Sequence, residues 1–197
     1  VSTPPAVRLI LASTSAYRRA LLERLGVPFD CLAPGADEQR LPGEPPEMLA
    51  LRLARLKAES VAARHPGCIV IGSDQVAVRG AEILGKPGTV ERCTEQLRES
   101  SGRDVAFLTA VHVIDGRGAR AEFHIDRTQV RFRALEPAEI ARYIAADAPL
   151  DCAGGFKAES LGIALFERIE SEDPTALTGL PLIWLCAALR RAGIPVP

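Results

Sequence analysis

The chain is poor in the patterns that most readily announce a function. No apolar run reaches the roughly 18 residues of a membrane span; the longest, Leu180 to Leu189, is short and holds Pro181. The opening residues, Val1-Ser2-Thr3-Pro4-Pro5, lack the basic-then-apolar order of a secretory signal. With no Met at position 1, a processed or trimmed start is expected. The five cysteines (Cys31, Cys68, Cys93, Cys152, Cys186) are scattered, odd in number and never paired as C-x-x-C. That argues against a disulfide framework or structural zinc and for a reducing cytoplasm. The three histidines, His65, His112 and His124, have no metal-ligand spacing. Aromatic residues make up only 5%, and 24 basic against 25 acidic residues leave a formal charge of −1. A single-stranded nucleic-acid binder needs stacking platforms and a basic groove, so no nucleic-acid partner is expected. No G-x-G-x-x-G follows a strand, no P-loop is present, and no Ser-His-Asp or Cys-His order is recognisable.

What remains is an ordinary globular composition, 47% hydrophobic and 25% charged over 197 residues, enough for one well-cored domain. The single domain is taken as 1–197, with 1–7 a loose extension. Arg8 to Ala12 reads as a buried strand, and Tyr17 to Leu25 as a helix capped by Ser13-Thr14-Ser15. Phe29 to Ala33 reads as a second strand. Pro34 to Pro46 is a Pro/Gly-rich loop, and a helix starts at Pro45-Pro46 and runs to about Arg64. Cys68 to Ile71 is a buried strand ending at Gly72-Ser73-Asp74-Gln75, followed by a hairpin, Val76 to Leu84. A helix over Thr89 to Glu99 precedes a long hairpin, 104–114 with 121–132, turning at Asp115-Gly116. Glu136 to Ala146 and Pro181 to Arg191 read as helices. Asp151 to Gly162 is irregular, and Ala164 to Ile169 reads as a strand. The pattern predicts an α/β fold with a mixed, twisted sheet flanked by helices.

Ligands of open α/β sheets bind beyond the carboxyl ends of strands. Ser13-Thr14-Ser15 with Arg18-Arg19 is one such end, and hydroxyls, helix N–H groups and guanidinium suit a phosphate. An ordinary helix cap with solvated arginines explains the same residues. Asp74 closes the other apolar strand, where a carboxylate serves as general base, metal ligand or plain turn cap. Asp37-Glu38 offers hard oxygen ligands for Mg²⁺ or Mn²⁺ or, alone, solvated loop acids. Lys57 borders an apolar helix face, where lysine either snorkels to water or points into a cleft. Lys86 sits on the tight turn Gly85-Lys86-Pro87, and Lys157 lies in the glycine-rich stretch. Together these groups fit a metal–polyphosphate site better than other small-molecule sites.

The segments Leu9-Ile10-Leu11-Ala12-Ser13-Thr14-Ser15, Arg18-Arg19, Asp37-Glu38, Lys57-Ala58, Ile71-Gly72-Ser73-Asp74-Gln75, Gly85-Lys86-Pro87, Cys152 to Glu159 and Asp173 to Leu182 stand in the order seen in Maf nucleoside triphosphate pyrophosphatases, which the chain resembles over nearly its whole length. The resemblance implies an elongated, two-lobed fold of the Maf/ITPase type with a central cleft, often dimeric. It implies metal-dependent hydrolysis of a nucleoside triphosphate to monophosphate and pyrophosphate. By position, Asp74 matches the proton acceptor. Ser13, Arg18, Glu38, Lys57 and Lys86 match the groups that hold phosphate and metal, with Arg19 the neighbour that could share Arg18's role. Tyr17, Gln75 and Glu159 resemble the 7-methyl-GTP branch rather than the dTTP/UTP branch; Ala16 and Gly155 depart from the frequent proline and serine. A nucleotide-binding regulator of cell division without catalysis is the other class of function that the resemblance leaves open. An aromatic face attracts a methylated, cationic guanine by roughly 0.5–2 kcal/mol, and a carboxylate accepts from the guanine ring N–H and amine.

Overall fold

Solid β-branched and aliphatic runs make the centre of the molecule, and charged amphipathic segments cover it. In a computed structural model, residues 7–118 and 120–197 are described; the extension expected over 1–7 falls, but for Val7, outside them. The elements in order are β1 (Leu9–Leu11), α1 (Ala16–Glu23), β2 (Asp30–Cys31), α2 (Pro46–Ala62), β3 (Ile69–Arg79), β4 (Glu82–Leu84), α3 (Val90–Ser100), β5 (Asp104–Asp115), β6 (Arg120–Phe132), α4 (Pro137–Asp147), β7 (Phe166–Glu170) and α5 (Leu182–Arg191). Short 3₁₀ turns lie at Ala153–Gly155, Leu161–Leu165 and Ala176–Thr178. Among the described residues no helix is long and apolar enough to cross a membrane.

The strands form one mixed sheet in the order β2-β1-β3-β5-β6-β7, with β4 on β3. β1 runs parallel to β2 and β3, and the other pairs are antiparallel. This is the expected α/β mixed sheet, with one difference that matters for the site. The strand expected to end at Gly72-Ser73-Asp74-Gln75 runs on through Asp74 to Arg79, 11 residues in all. The cause is β5, which pairs with β3 without a break from Ile69↔Asp115 to Val78↔Ala106. Small polar residues do not stop a strand whose backbone groups are satisfied by a long partner.

The opposite edge of β3 is shared. β1 pairs with Leu9↔Ile69 to Leu11↔Ile71 and then leaves, whereas β4 pairs only from Ala77↔Leu84. Residues 72–76 are therefore paired on one side and open on the other. That gap is the floor of a cleft, and Asp74 sits at its middle. Alternation along the strand sends Gly72 and Asp74 to the face covered by α2, and Ser73 and Gln75 to the other. Buried clusters lie on both sides of the gap. One joins β1, α1 and α5 through Leu9, Leu22 and Leu185. The other joins β4, β5, α3 and α4 through Leu84, Phe107, Leu97 and Ile140.

α2 crosses β3 at Gly72, where an added Cβ would lie 2.2 Å from the Ala54 carbonyl oxygen and 2.6 Å from the Ala58 nitrogen. That close approach drives Lys57, next to Ala58, over the gap. Gly72→Ala is expected to lower stability by about 1–3 kcal/mol through overpacking, read as a shift of the urea unfolding midpoint. An unchanged midpoint would contradict this contact.

Candidate active site

A cleft of about 650 Å³ opens at the gap. Its walls come from the turn after β1, the 34–38 loop, α2, the middle of β3, the turn after β4, the 151–159 segment and the 177–179 turn. The turn after β1 is shaped by two hydroxyls. Ser13 Oγ accepts from the Ser15 N–H at 3.1 Å, and Ser15 Oγ accepts from the Arg18 N–H at 3.4 Å, capping α1. The segment is a helix cap, and it also lines the cleft.

Lys57 is not a snorkelling lysine. It is buried, and its ammonium donates to Asp74 Oδ1 at 2.6 Å. Glu38 Oε2 lies 3.0 Å from the same nitrogen. Asp74 is buried as well, while the Glu38 side chain is 55% exposed. Two carboxylates from a strand and a loop thus converge on one cation. Asp37, by contrast, accepts from the Gln39 N–H at 3.0 Å in a local turn and stays exposed.

Arg18 rises from α1 toward the opposite wall, where its Nε donates to the Gly179 carbonyl at 2.9 Å. Burial pulls the guanidinium below its ordinary pKa, and the Asp74 and Glu38 carboxylates oppose that; guanidinium stays charged regardless. Lys86 is exposed on the far lip and makes no ion pair among the described residues. Its turn is held by α3, because Gln96 Nε2 donates to the Gly85 carbonyl at 3.1 Å.

At one end of the cleft lie Tyr17, Asp151, Cys152 and Glu159. The Cys152 thiol approaches the Tyr17 hydroxyl at 3.7 Å. Burial pushes the Cys152 thiol up to about 12 and raises the Tyr17 phenol, with Asp151 and Glu159 adding their negative charge to that rise. The segment is anchored by Phe156, which packs edge-on against Phe107, Phe132 and Phe166 at ring separations of 4.8–5.6 Å.

Two expected residues do not reach the cleft. Arg19 is one helical step past Arg18 and so points outward, where it pairs with Glu23 at 2.9 Å in water. Lys157 turns back to α4, its ammonium donating to the Asp147 carbonyl at 2.7 Å and its N–H to the Tyr143 hydroxyl at 2.9 Å. Gln75 lines the cleft, but its amide nitrogen is engaged behind it. It lies 2.9 Å from Thr109 Oγ1, 3.0 Å from the Ala176 carbonyl and 2.9 Å from that of Leu177. Sequence reasoning missed Asp151, whose one sign was its place beside Cys152. It also missed Gly179, whose carbonyl, like any backbone group, leaves no mark in the sequence.

Asp74 and Lys57 hold each other in burial, and removing one partner of such a pair costs about 3–5 kcal/mol. Lys57→Met is expected to destabilise the chain on that scale in urea. Lys57→Met combined with Asp74→Asn is expected to recover most of the loss. Equal destabilisation by the single and double variants would show that the pair is not what holds them.

A family profile described as "Maf-like protein" matches residues 8–192. A protein of Xanthomonas campestris pv. campestris (strain 8004) named "7-methyl-GTP pyrophosphatase" is 56% identical over 192 residues, covering 96% of this chain and 98% of that one. A Pseudomonas putida protein of the same name is 51% identical over 189 residues, covering 96% and 98%. One from Albidiferax ferrireducens is 48% identical over 196 residues, covering 100% and 98%. Among solved structures, the Staphylococcus aureus Ham1 protein aligns with a TM-score of 0.46 and 16% identity over 64% of this chain and 71% of that one. The profile and these identities extend over almost every residue described above, so the chain belongs to the Maf family.

Proposed function

We propose that the cleft hydrolyses a nucleoside triphosphate, 7-methyl-GTP above all, to the monophosphate and pyrophosphate. The observation that carries this reading is the convergence of Asp74, Glu38 and Lys57 on the floor, with Arg18 and Lys86 on the walls. It is a site for a polyanion with carboxylates at its centre.

In the proposed mechanism the phosphates lie across the gap, met by Lys57, Arg18 and Lys86. The Ser13 hydroxyl and the N–H groups at the start of α1 donate to phosphate oxygens. Engagement of the Lys57 ammonium by a phosphate oxygen loosens its hold on Asp74. Asp74 then takes a proton from a water, whose oxygen bonds to the α-phosphorus. The bond from that phosphorus to the bridging oxygen breaks, and pyrophosphate leaves with the electron pair. The walls stabilise its charge, which is most of what phosphoryl transfer asks of a protein.

The charges of Arg18, Lys57 and Lys86 against Asp74 and Glu38 leave a small positive excess, far less than a triphosphate brings. Among the described residues no three His, Cys, Asp or Glu side chains form a metal cluster. Mg²⁺ needs only one or two carboxylates when substrate phosphates complete its shell. Asp74 and Glu38, already gathered on one cation, fit that requirement. A divalent metal held there would neutralise phosphate charge and lower the pKa of water.

The base reading rests on the other end of the cleft. Tyr17 lies beside Asp151 and Glu159, so a flat cationic ring meets an aromatic face and two negative charges. A neutral pyrimidine can stack on the ring but gains neither the cation–π attraction nor the pull of the two negative charges. Initial rates on 7-methyl-GTP, GTP, UTP, dTTP and CTP, with Mg²⁺ and Mn²⁺ in turn, are expected to favour 7-methyl-GTP. Asp74→Asn is expected to lower kcat at least about a hundredfold; near-normal turnover would remove Asp74 from the proposed chemistry. Glu159→Gln is expected to raise KM for 7-methyl-GTP about tenfold and leave UTP unaffected. An equal change for both substrates would dissociate Glu159 from base choice.

A further inference from the structure

The segment from Ser171 to Ile183 crosses the face of the sheet opposite α2 as an irregular strap, and its bonding is unusually dense. Asp173 is buried and takes three donors. Oδ1 accepts from the Thr175 N–H at 2.8 Å and the Thr175 hydroxyl at 2.6 Å, and Oδ2 accepts from the Ile183 N–H at 2.6 Å. It thereby satisfies the start of α5, whose own cap is Pro181 with no side chain to offer. Thr175 Oγ accepts from the Leu182 N–H at 2.9 Å and lies 2.9 Å from the Leu180 carbonyl.

The sheet grips the strap at its middle. Thr109 of β5, buried, donates to the Ala176 carbonyl at 2.9 Å. Gln75 of β3 donates to the carbonyls of Ala176 and Leu177. The strap then turns back at Gly179, whose N–H also donates to the Ala176 carbonyl at 2.8 Å. Gly179 has φ of +114°, which side-chain-bearing residues rarely adopt. The turn aims its carbonyl at the cleft, where it accepts from two donors: Ser73 of β3 at 2.9 Å and Arg18 Nε at 2.9 Å. Among the described residues the Arg18 guanidinium has no other hydrogen bond. Its terminal nitrogens have no hydrogen-bond partner among the described residues, its inner nitrogen is tied, and the residue lines the cleft.

We infer that the strap is a positioning device for Arg18, with Gly179 and Thr109 its positioning residues: the Gly179 carbonyl, held in place from behind by Thr109 and Gln75, fixes the guanidinium plane so that its terminal nitrogens meet the phosphates as a fork. This rests on the reading that Arg18 binds substrate phosphate. A guanidinium on three flexible methylenes recognises phosphate well only when its plane is set, because both contacts of the fork must form together. The carbonyl sets that plane without neutralising the charge, as a carboxylate partner would. The same logic gives Gln75 a role that does not require contact with the base. It also accounts for glycine at 179, since a Cβ there would lie 3.2 Å from Arg18 Nε.

The test is a double-mutant cycle in steady-state kinetics on 7-methyl-GTP, with folding of each variant checked by thermal melting. Arg18→Lys keeps the charge and removes the fork. Thr109→Val removes a hydroxyl that does not line the cleft, and Thr109→Ser restores it. Gly179→Ala presses on Nε directly. Thr109→Val and Gly179→Ala are each expected to raise KM about tenfold, with kcat within about twofold of the parent and Thr109→Ser near the parent. In the Arg18→Lys background the same two substitutions are expected to change KM by less than about twofold, because coupled residues do not add. If Arg18→Lys raises KM and Thr109→Val raises it again by the same factor, the strap acts independently of Arg18 and the inference falls alone. If Arg18→Lys leaves KM unchanged, the phosphate role of Arg18 falls, and the inference with it. Thr109→Val matters separately because it is nearly isosteric and stays informative if Gly179→Ala fails to fold.

Discussion

The floor of the cleft is arranged around one buried ammonium. Lys57 is out of water and shares its charge with Asp74 beneath it and Glu38 beside it. A lysine in that position is tolerable only with a partner, and the partner is tolerable only with the lysine. The pair therefore fixes α2 against β3 at the point where the sheet edge lies open. The same mutual dependence makes the site responsive. An anion that competes for Lys57 changes the surroundings of Asp74 at once, so in the proposed mechanism binding and proton acceptance are linked through one nitrogen.

The gap in the sheet is the second constraint, and it follows from strand lengths. β1 has three residues and β3 has 11, so β3 outruns its parallel neighbour and meets β4 only later. Five residues of β3 are left facing a cleft on one edge while β5 keeps them rigid on the other. A carboxylate in such a place is held by regular backbone rather than by a loop, which favours defined geometry. The strap on the reverse face and α2 on the near face then deliver Arg18 and Lys57 to opposite walls of the same opening.

Much of this was legible in the sequence, for reasons that can be named. Apolar runs and Pro/Gly punctuation placed the helices and the long hairpin to within a few residues, because periodicity reports which face is buried. Ser13, Arg18, Glu38, Lys57, Asp74 and Lys86 do share one cleft. What the sequence did not disclose was of two kinds. Direction was hidden: Arg19 and Lys157 are as basic as Arg18 and Lys57, and only the helix turn and the tether to Asp147 send them elsewhere. Backbone was hidden too. The run through Gly72-Ser73-Asp74 read as a strand end because its residues are small and polar, yet pairing with β5 carries the strand on. The Gly179 carbonyl could be found only once Arg18 was seen to reach it.

The central claim is that the triphosphate lies across the gap with its α-phosphate at Lys57 and Asp74. A crystal structure with a 7-methyl-GTP analogue carrying a non-hydrolysable methylene bridge between the α- and β-phosphorus tests this most directly. The expected density places the α-phosphate against the Lys57 ammonium, the outer phosphates toward Arg18 and Lys86, and the base against Tyr17. A nucleotide bound with its phosphates away from Lys57, and with the Lys57–Asp74 pair closed as it is without ligand, would contradict the account.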